Sequence, residues 1–265
     1  MDETSVATLY DQGPDRFYGL LYYRACDVPY AEEIARFTKG RRFRRILDLG
    51  CGSGRQTVML APHAEEIWGI DISAESLRQA EERCARAGVS NVKFFHQSIV
   101  SLPAEDESVD AIISYGDVIS HVHDQYEKVF QEIGRVLVRG GLMAVEVDGK
   151  WELDMLLHHP AERARAWATR GVGHLRVWEG IPCKTFTQPE LRQVLTRAGL
   201  RMIRCRGVNI FHCLLPERVL MGSPHEVGEG WRLVAIALQR VDAVLGKLPG
   251  VSGLASTRLV TAVKS

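Results

Sequence analysis

A chain of 265 residues with 46% hydrophobic and 25% charged side chains can bury a full core, as one large α/β domain or as a core with an inserted cap; that composition argues against intrinsic disorder. Lys plus Arg and Asp plus Glu both total 33, so no net charge draws the chain to nucleic acid or to an anionic surface. The balance hides an asymmetry, because residues 1–150 hold 17 basic and 24 acidic side chains whereas residues 151–265 hold 16 and 9. The basic excess suits an acidic substrate or partner, or no more than a solvated face.

The cysteines at 26, 51, 84, 183, 205 and 213 form no C-x-x-C pair and sit mostly in apolar segments, as reduced thiols do. The Met-Asp-Glu-Thr start lacks the basic and apolar run of a signal peptide, and no stretch reaches the ~18 apolar residues of a membrane span. A soluble, cytoplasmic protein is expected. Residues 1–44 crowd aromatic rings (Tyr10, Phe17, Tyr18, Tyr22, Tyr23) ahead of a helix running to Phe37, with Asp27 as its N-cap and Pro29 in its first turn. The region reads as a helical flap over a site, or as rings packed on the core. The basic run Lys39–Arg45 leads directly into an apolar strand, and a solvated lead-in explains it without nucleic acid.

From Arg45 to Val147 apolar strands alternate with amphipathic helices: strands at Ile46–Leu49, Ile67–Ile70, Val92–Phe95, Val109–Ser114 and Leu142–Val147, helices at Gln56–Leu60, Ala74–Ala87 and Gln125–Val138. Unalternated apolar strands imply a parallel sheet covered on both faces, hence a doubly wound α/β fold with ligands beyond the carboxyl ends of its strands. Strand one runs into Gly50-Cys51-Gly52-Ser53-Gly54, where missing Cβ atoms let a ligand lie on bare backbone. Strand two ends at Asp71, 17 residues past Gly54, where a carboxylate can accept hydrogen bonds from a ribose diol. Ser73 is the expected N-cap of the next helix.

Asp48-Leu49-Gly50-Cys51-Gly52-Ser53-Gly54 resembles the first motif of class I S-adenosylmethionine-dependent methyltransferases, and Gly69-Ile70-Asp71-Ile72-Ser73 is similar to their second. Ser101-Leu102-Pro103 with Glu107–Ser114, and Arg135–Gly141, resemble the two later blocks of that family, in order and at its spacing. A nicotinamide-binding oxidoreductase, the main competitor on fold grounds, fits less well, because Arg55 stands where its Gly-x-Gly-x-x-Gly wants the third glycine. The resemblance implies a Rossmann-like seven-stranded sheet, with S-adenosyl-L-methionine as cofactor, and covers residues 46–147.

By that resemblance Gly50, Cys51 and Gly52 lie along the methionine part of the cofactor and Asp48 holds its amino group, directly or through water. Asp71 takes the ribose hydroxyls and Ile72 meets the adenine. Where many relatives place Asp-Ala after strand three, this chain has Ser98-Ile99, with Gln97 beside them. An uncharged acceptor there is weaker by about 1 kcal/mol. Tyr18 of the flap and Ser114 and Tyr115 after strand four complete the expected cofactor contacts.

The family places the loop after strand four, Ser114 to Asp124, beside the transferred methyl group. Methyl transfer from a sulfonium needs alignment above all, and a base only when the acceptor is protonated. His121 is the candidate base and Asp117 its partner, with a purely structural His121 as the alternative. The pairs His121-x-His123 and His158-His159 lack zinc spacing, so no metal is expected.

Beyond Val147 the pattern predicts one or two helices over Trp151–Arg170 broken at Pro160, then a hairpin of His174–Trp178 and Pro182–Thr187. Together, residues 150–186 read as a cap inserted after strand five of the 45–149 core. Thr187 with Glu190 opens a capped helix ending at Gly199, and Met202–Val208 and Thr257–Val263 are expected to pair antiparallel, completing the core within 187–265. Between them Trp231, Val234, Leu238, Val241, Leu245 and Leu248 form an apolar helical stripe, covering a core, a second copy in a homodimer, or an apolar substrate.

The function expected is methyl transfer to an O, N or C atom of a small, partly apolar acceptor, without nucleic acid as partner. RNA methylation and a non-catalytic cofactor-binding module are the alternatives.

Overall fold

A computed structural model describes residues 3–13, 20–178, 180–223 and 225–265. The expected cofactor contact Tyr18 lies outside them.

Seven strands form one sheet in the order β3-β2-β1-β4-β5-β9-β8. They are β1 (Phe43–Leu49), β2 (Ala64–Asp71), β3 (Val92–His96), β4 (Val109–Ser114), β5 (Leu137–Asp148), β8 (Leu200–Val208) and β9 (Thr257–Lys264). The first five run parallel, and β9 is antiparallel to both β5 and β8, the closing pair expected from the sequence. The chain leaves β1 for β2 on one side and reaches β4 on the other, so strand order reverses at β1 and a crevice opens at its carboxyl end.

Helices α1 (Glu3–Asp11), α2 (Leu21–Thr38), α3 (Arg55–Leu60), α4 (Ala74–Arg86), α5 (Val118–His121) and α6 (Tyr126–Val136) accompany the first half. Alternate strand residues face opposite layers. Leu47, Leu49, Ile112 and Met143 pack with Phe130 and Ile133 of α6, while Ile46, Ile67, Ile113 and Ala144 pack with Tyr30, Ile34 and Phe37 of α2.

After β5 come α7 (Leu153–His158) and α8 (Pro160–Ala168), broken at Pro160 as predicted, then a hairpin of β6 (Leu175–Trp178) and β7 (Ile181–Lys184). Buried Lys150 ties this segment down by donating to Thr169 Oγ1 (2.8 Å) and to the Arg170 and Val172 carbonyls. Helix α9 (Gln188–Arg197) opens with the Thr187–Glu190 capping box. Helices α10 (Glu217–Leu220), α11 (Glu229–Leu245) and α12 (Pro249–Ser252) lead to β9.

Three expectations are corrected. Asp27 is not an N-cap: α2 begins at Leu21 and carries Pro29 inside it. Proline removes one helical hydrogen bond, yet Cys26, Tyr30, Ile34 and Phe37, spaced along one face, are all buried on the sheet, and that packing holds the helix through the break. Asp27 instead pairs with Arg55. The fifth strand begins at Leu137, not at Leu142, and runs through a register shift opposite Val109–Ala111, with Gly140 at φ +76°. The apolar stripe of α11 covers a core only in part, for Trp231, Val234, Val241 and Leu248 are 39–50% exposed while the helix buries Ala235 and Asp242.

Candidate active site

The loop after β1 turns because the Gly50 and Cys51 amides both donate to the Ile70 carbonyl of β2, at 2.7 and 3.1 Å. Gly50 has φ +66°, and a Cβ built there would stand 2.3 Å from Val118 Cγ2 at the start of α5. Glycine is therefore required by backbone and neighbour together. Asp71, ending β2, accepts from the Gly52 amide (2.8 Å) through one oxygen and from the Ser73 amide (2.9 Å) through the other. Burial pushes its carboxyl above the usual range. Two backbone donors leave further lone pairs on this carboxylate toward the crevice.

A cleft enclosing about 700 Å³ of free space, its mouth included, lies above these residues. Of the sequence-predicted residues, Gly50, Gly52, Asp71, Ile72, Ile99, Tyr115 and His121 line it. Others lie behind that lining. Asp48 is buried under the loop and accepts from Thr57 Oγ1 at 2.6 Å; burial raises its pKa to about 7, against the Thr57 hydrogen bond, with Asp71 adding to the rise. Cys51 is buried, and Ser114 Oγ donates to the Leu49 carbonyl at 2.9 Å. Gln97 donates its amide to the Ser101 carbonyl, and Ser98 Oγ accepts from the Val100 amide at 3.1 Å.

Sequence reasoning did not single out Val6 and Tyr10 of α1, which line the cleft. The Tyr10 ring meets His121 edge-on, centroids 6.3 Å apart. Asp11 anchors α1 by accepting from Ser73 Oγ (2.6 Å) and the Glu75 amide (3.3 Å) at the start of α4. The signal was there in the crowding of rings before the first strand, though not which rings would serve.

His121 Nδ1 lies 3.4 Å from Cys183 Sγ of β7, so the hairpin touches the candidate base. Burial, with His123 adding to it, pushes the imidazole down to about 4. At neutral pH the ring is uncharged. Asp117 begins α5 in the left-handed region, φ +58°, with Oδ1 buried and unpartnered. Burial, then Asp148 and Glu146, pushes this carboxyl well above its ordinary value.

The sequence also missed Glu146, buried in β5. Its Oε2 accepts from Tyr30 Oη and from the Gly116 amide (2.7 Å), while Oε1 has no partner. Tyr30 stacks on Tyr115, centroids 4.7 Å apart and 8° from parallel. A glutamate in the run Met143-Ala144-Val145-Glu146-Val147-Asp148, otherwise buried on both sheet faces, was the available signal.

The glycine loop, the carboxylate ending the second strand and the switch point coincide in one cleft, and residues 46–141 match the family model described as methyltransferase domain. Residues 46–141 belong to the class I S-adenosylmethionine-dependent methyltransferases. This methyltransferase domain is 29% identical over 131 residues to the demethylmenaquinone methyltransferase of Geobacillus kaustophilus, a match covering 48% of this chain and 55% of that protein. It is 32% identical over 101 residues to the uncharacterized methyltransferase YcgJ of Bacillus subtilis, covering 38% of this chain and 39% of that one. The chain thus spans about half the length, or less, of these curated relatives. Among solved structures it superposes with TM-score 0.59 and 18% identity on a complex between the Haloferax volcanii Trm112 methyltransferase activator and a methyltransferase, covering 99% of this chain and 95% of that chain. At that identity the likeness speaks for the fold.

Proposed function

We propose that the chain transfers a methyl group from S-adenosylmethionine to a small, partly apolar acceptor by direct displacement. The observation that carries this reading is the cleft at the switch point, lined together by Gly50, Gly52, Asp71, Tyr115 and His121. The residues fit the donor: Asp71 keeps lone pairs for a ribose diol, the loop has no Cβ to fill the space, and Ile72 and Ile99 offer apolar contact to a base. The bound donor supplies an electrophilic methyl carbon on a positively charged sulfur.

The protein's part is alignment and exclusion of water. Val6, Tyr10, Val118 and Val122 make the cleft largely apolar, which supports an acceptor with apolar surface and strengthens polar contacts inside it. His121, neutral at physiological pH, takes a proton or a hydrogen bond from the acceptor, and the Cys183 contact fixes its ring. The residues from 150 to 186 act as the cap and α1 as the flap, α2 being packed on the sheet. The relatives named for demethylmenaquinone, a partly apolar small molecule, support the acceptor class.

Isothermal titration of the intact protein with S-adenosylmethionine and S-adenosylhomocysteine tests the reading. Saturable binding of both is expected. No saturation at tens of micromolar would sink it.

A further inference from the structure

Helix α11 packs its inner side on the protein through Ala235 and Asp242, whose carboxylate accepts from the Ile210 and Phe211 amides at 3.1 and 3.3 Å. Its outer side is apolar. Leu233, Ala237, Val241 and Val244 recur every three or four residues, so they share one face, and all are exposed, Leu233 and Val244 by 62% and 64%. Val234 lies beside them, exposed as well, and Leu248 follows just past the helix. Single exposed apolar side chains need no account, but a continuous row along a helix does.

The charges around this face have one sign. Arg240 stands two turns from Leu233, hence on the same side, Arg232 precedes it and Lys247 follows the last turn; all three are exposed. From Gly230 to Ser265 the sequence holds a single acid, Asp242, which is buried and taken by the two amides. Glu229, in the first turn, is the one exposed acid of the helix.

An apolar row edged by cations fits an anionic partner. A second copy laid on the face would set three cations against three more, with only Glu229 to answer them. A specific protein interface carries about one hydrogen bond per 100–200 Å², yet from Leu233 to Val244 no uncharged polar side chain is exposed. A lipid surface asks for neither. Apolar side chains enter the acyl boundary, while Arg and Lys stems carry their charges back to the headgroups. We propose that α11 docks the protein on an anionic membrane surface, with Leu233, Val241 and Val244 inserted and Arg232, Arg240 and Lys247 on the lipid phosphates. The contact is peripheral and holds whatever the cleft binds.

Sedimentation of the intact protein with vesicles tests this, using phosphatidylcholine alone or with one third phosphatidylglycerol, at about 0.1 and 0.5 M salt. Binding to the anionic vesicles is expected to exceed binding to the neutral ones at least tenfold, and to fall severalfold in high salt. Arg240→Glu combined with Lys247→Glu should erase the preference, and Val244→Asp should weaken anionic-vesicle binding tenfold or more. Both variants change exposed side chains, urea midpoints check that each keeps its fold, and either one alone decides. Equal binding to the two vesicles overturns the proposal, as does binding that survives both variants. No binding at all also overturns it and leaves the face to an acidic protein. Sedimentation equilibrium without lipid covers the remaining occupant: a dimer that Val244→Asp dissociates overturns the proposal and assigns the face to a second copy.

Discussion

Asp48 and His121 show burial acting on an acid and a base in opposite senses. Asp48, with an ordinary pKa of 3.8, is raised to about 7, so the folded protein keeps a proton that the unfolded chain loses between pH 4 and 7. Stability from this group is present below pH 4 and is lost as pH rises through 7. Asp48→Asn keeps an acceptor for Thr57 and has no proton to lose. Urea unfolding at pH 5 and pH 8 should show the wild type losing stability relative to the variant, by up to about 3 kcal/mol. Parallel behaviour of the two proteins would mean that Asp48 ionises freely. His121 titrates near 4, so a flat rate from pH 6 to 9 is what a neutral imidazole gives, and the acid limb should lie near pH 4. His121→Ala should lower kcat by roughly a hundredfold or more with the donor KM intact, as expected when a proton acceptor is removed. A loss under threefold would leave the ring a structural part. Gly50, Gly52, Asp71 and His121 were legible because their chemistry is written locally, as backbone freedom or as a side chain at a strand end. Glu146 was not, since its role depends on Tyr30 and Gly116, partners 116 and 30 residues away.

At the scale of elements, α1 lines the cleft directly, whereas the β6–β7 hairpin meets it through the contact of Cys183 with His121. Helix α1 brings Val6 and Tyr10 to the cleft and is fastened through Asp11 to the start of α4. Asp11→Ala should release it. Hydrogen exchange of residues 3–11 should speed up about fivefold, for about 1 kcal/mol from a lost cap-type hydrogen bond, with the strands of the sheet unchanged. Unaltered exchange in α1 would show that Tyr10 and Val6 hold the helix without Asp11. The Thr187 capping box, the break at Pro160 and the hairpin were all readable from sequence, because caps, prolines and turns act within a few residues. The true start of α2 was not. The same local signals, Asp27 and Pro29, were overruled by four side chains burying against the sheet.

For the whole molecule, the parallel half and its switch point followed from alternating apolar strands and helices. The stripe on α11 misled, since an amphipathic pattern states that a face is apolar without stating what lies against it; among the described residues that face meets solvent for much of its length. No helix among them is long and apolar enough to cross a membrane. The place of β9 bears on how the chain reaches this state. It sits between β5 and β8, pairing Asp148 with Thr257 and Val208 with the same residue, so neither neighbour has that edge satisfied until β9 docks. Bringing β5 and β9 together closes a loop of roughly a hundred residues, whereas β1 finds β2 within about twenty, and loop-closure entropy orders those events. The strands around β1 can therefore assemble early. The acidic edge at Glu146 and Asp148 gains its last wall only when β9 arrives, making that side of the sheet the late-folding half of the fold.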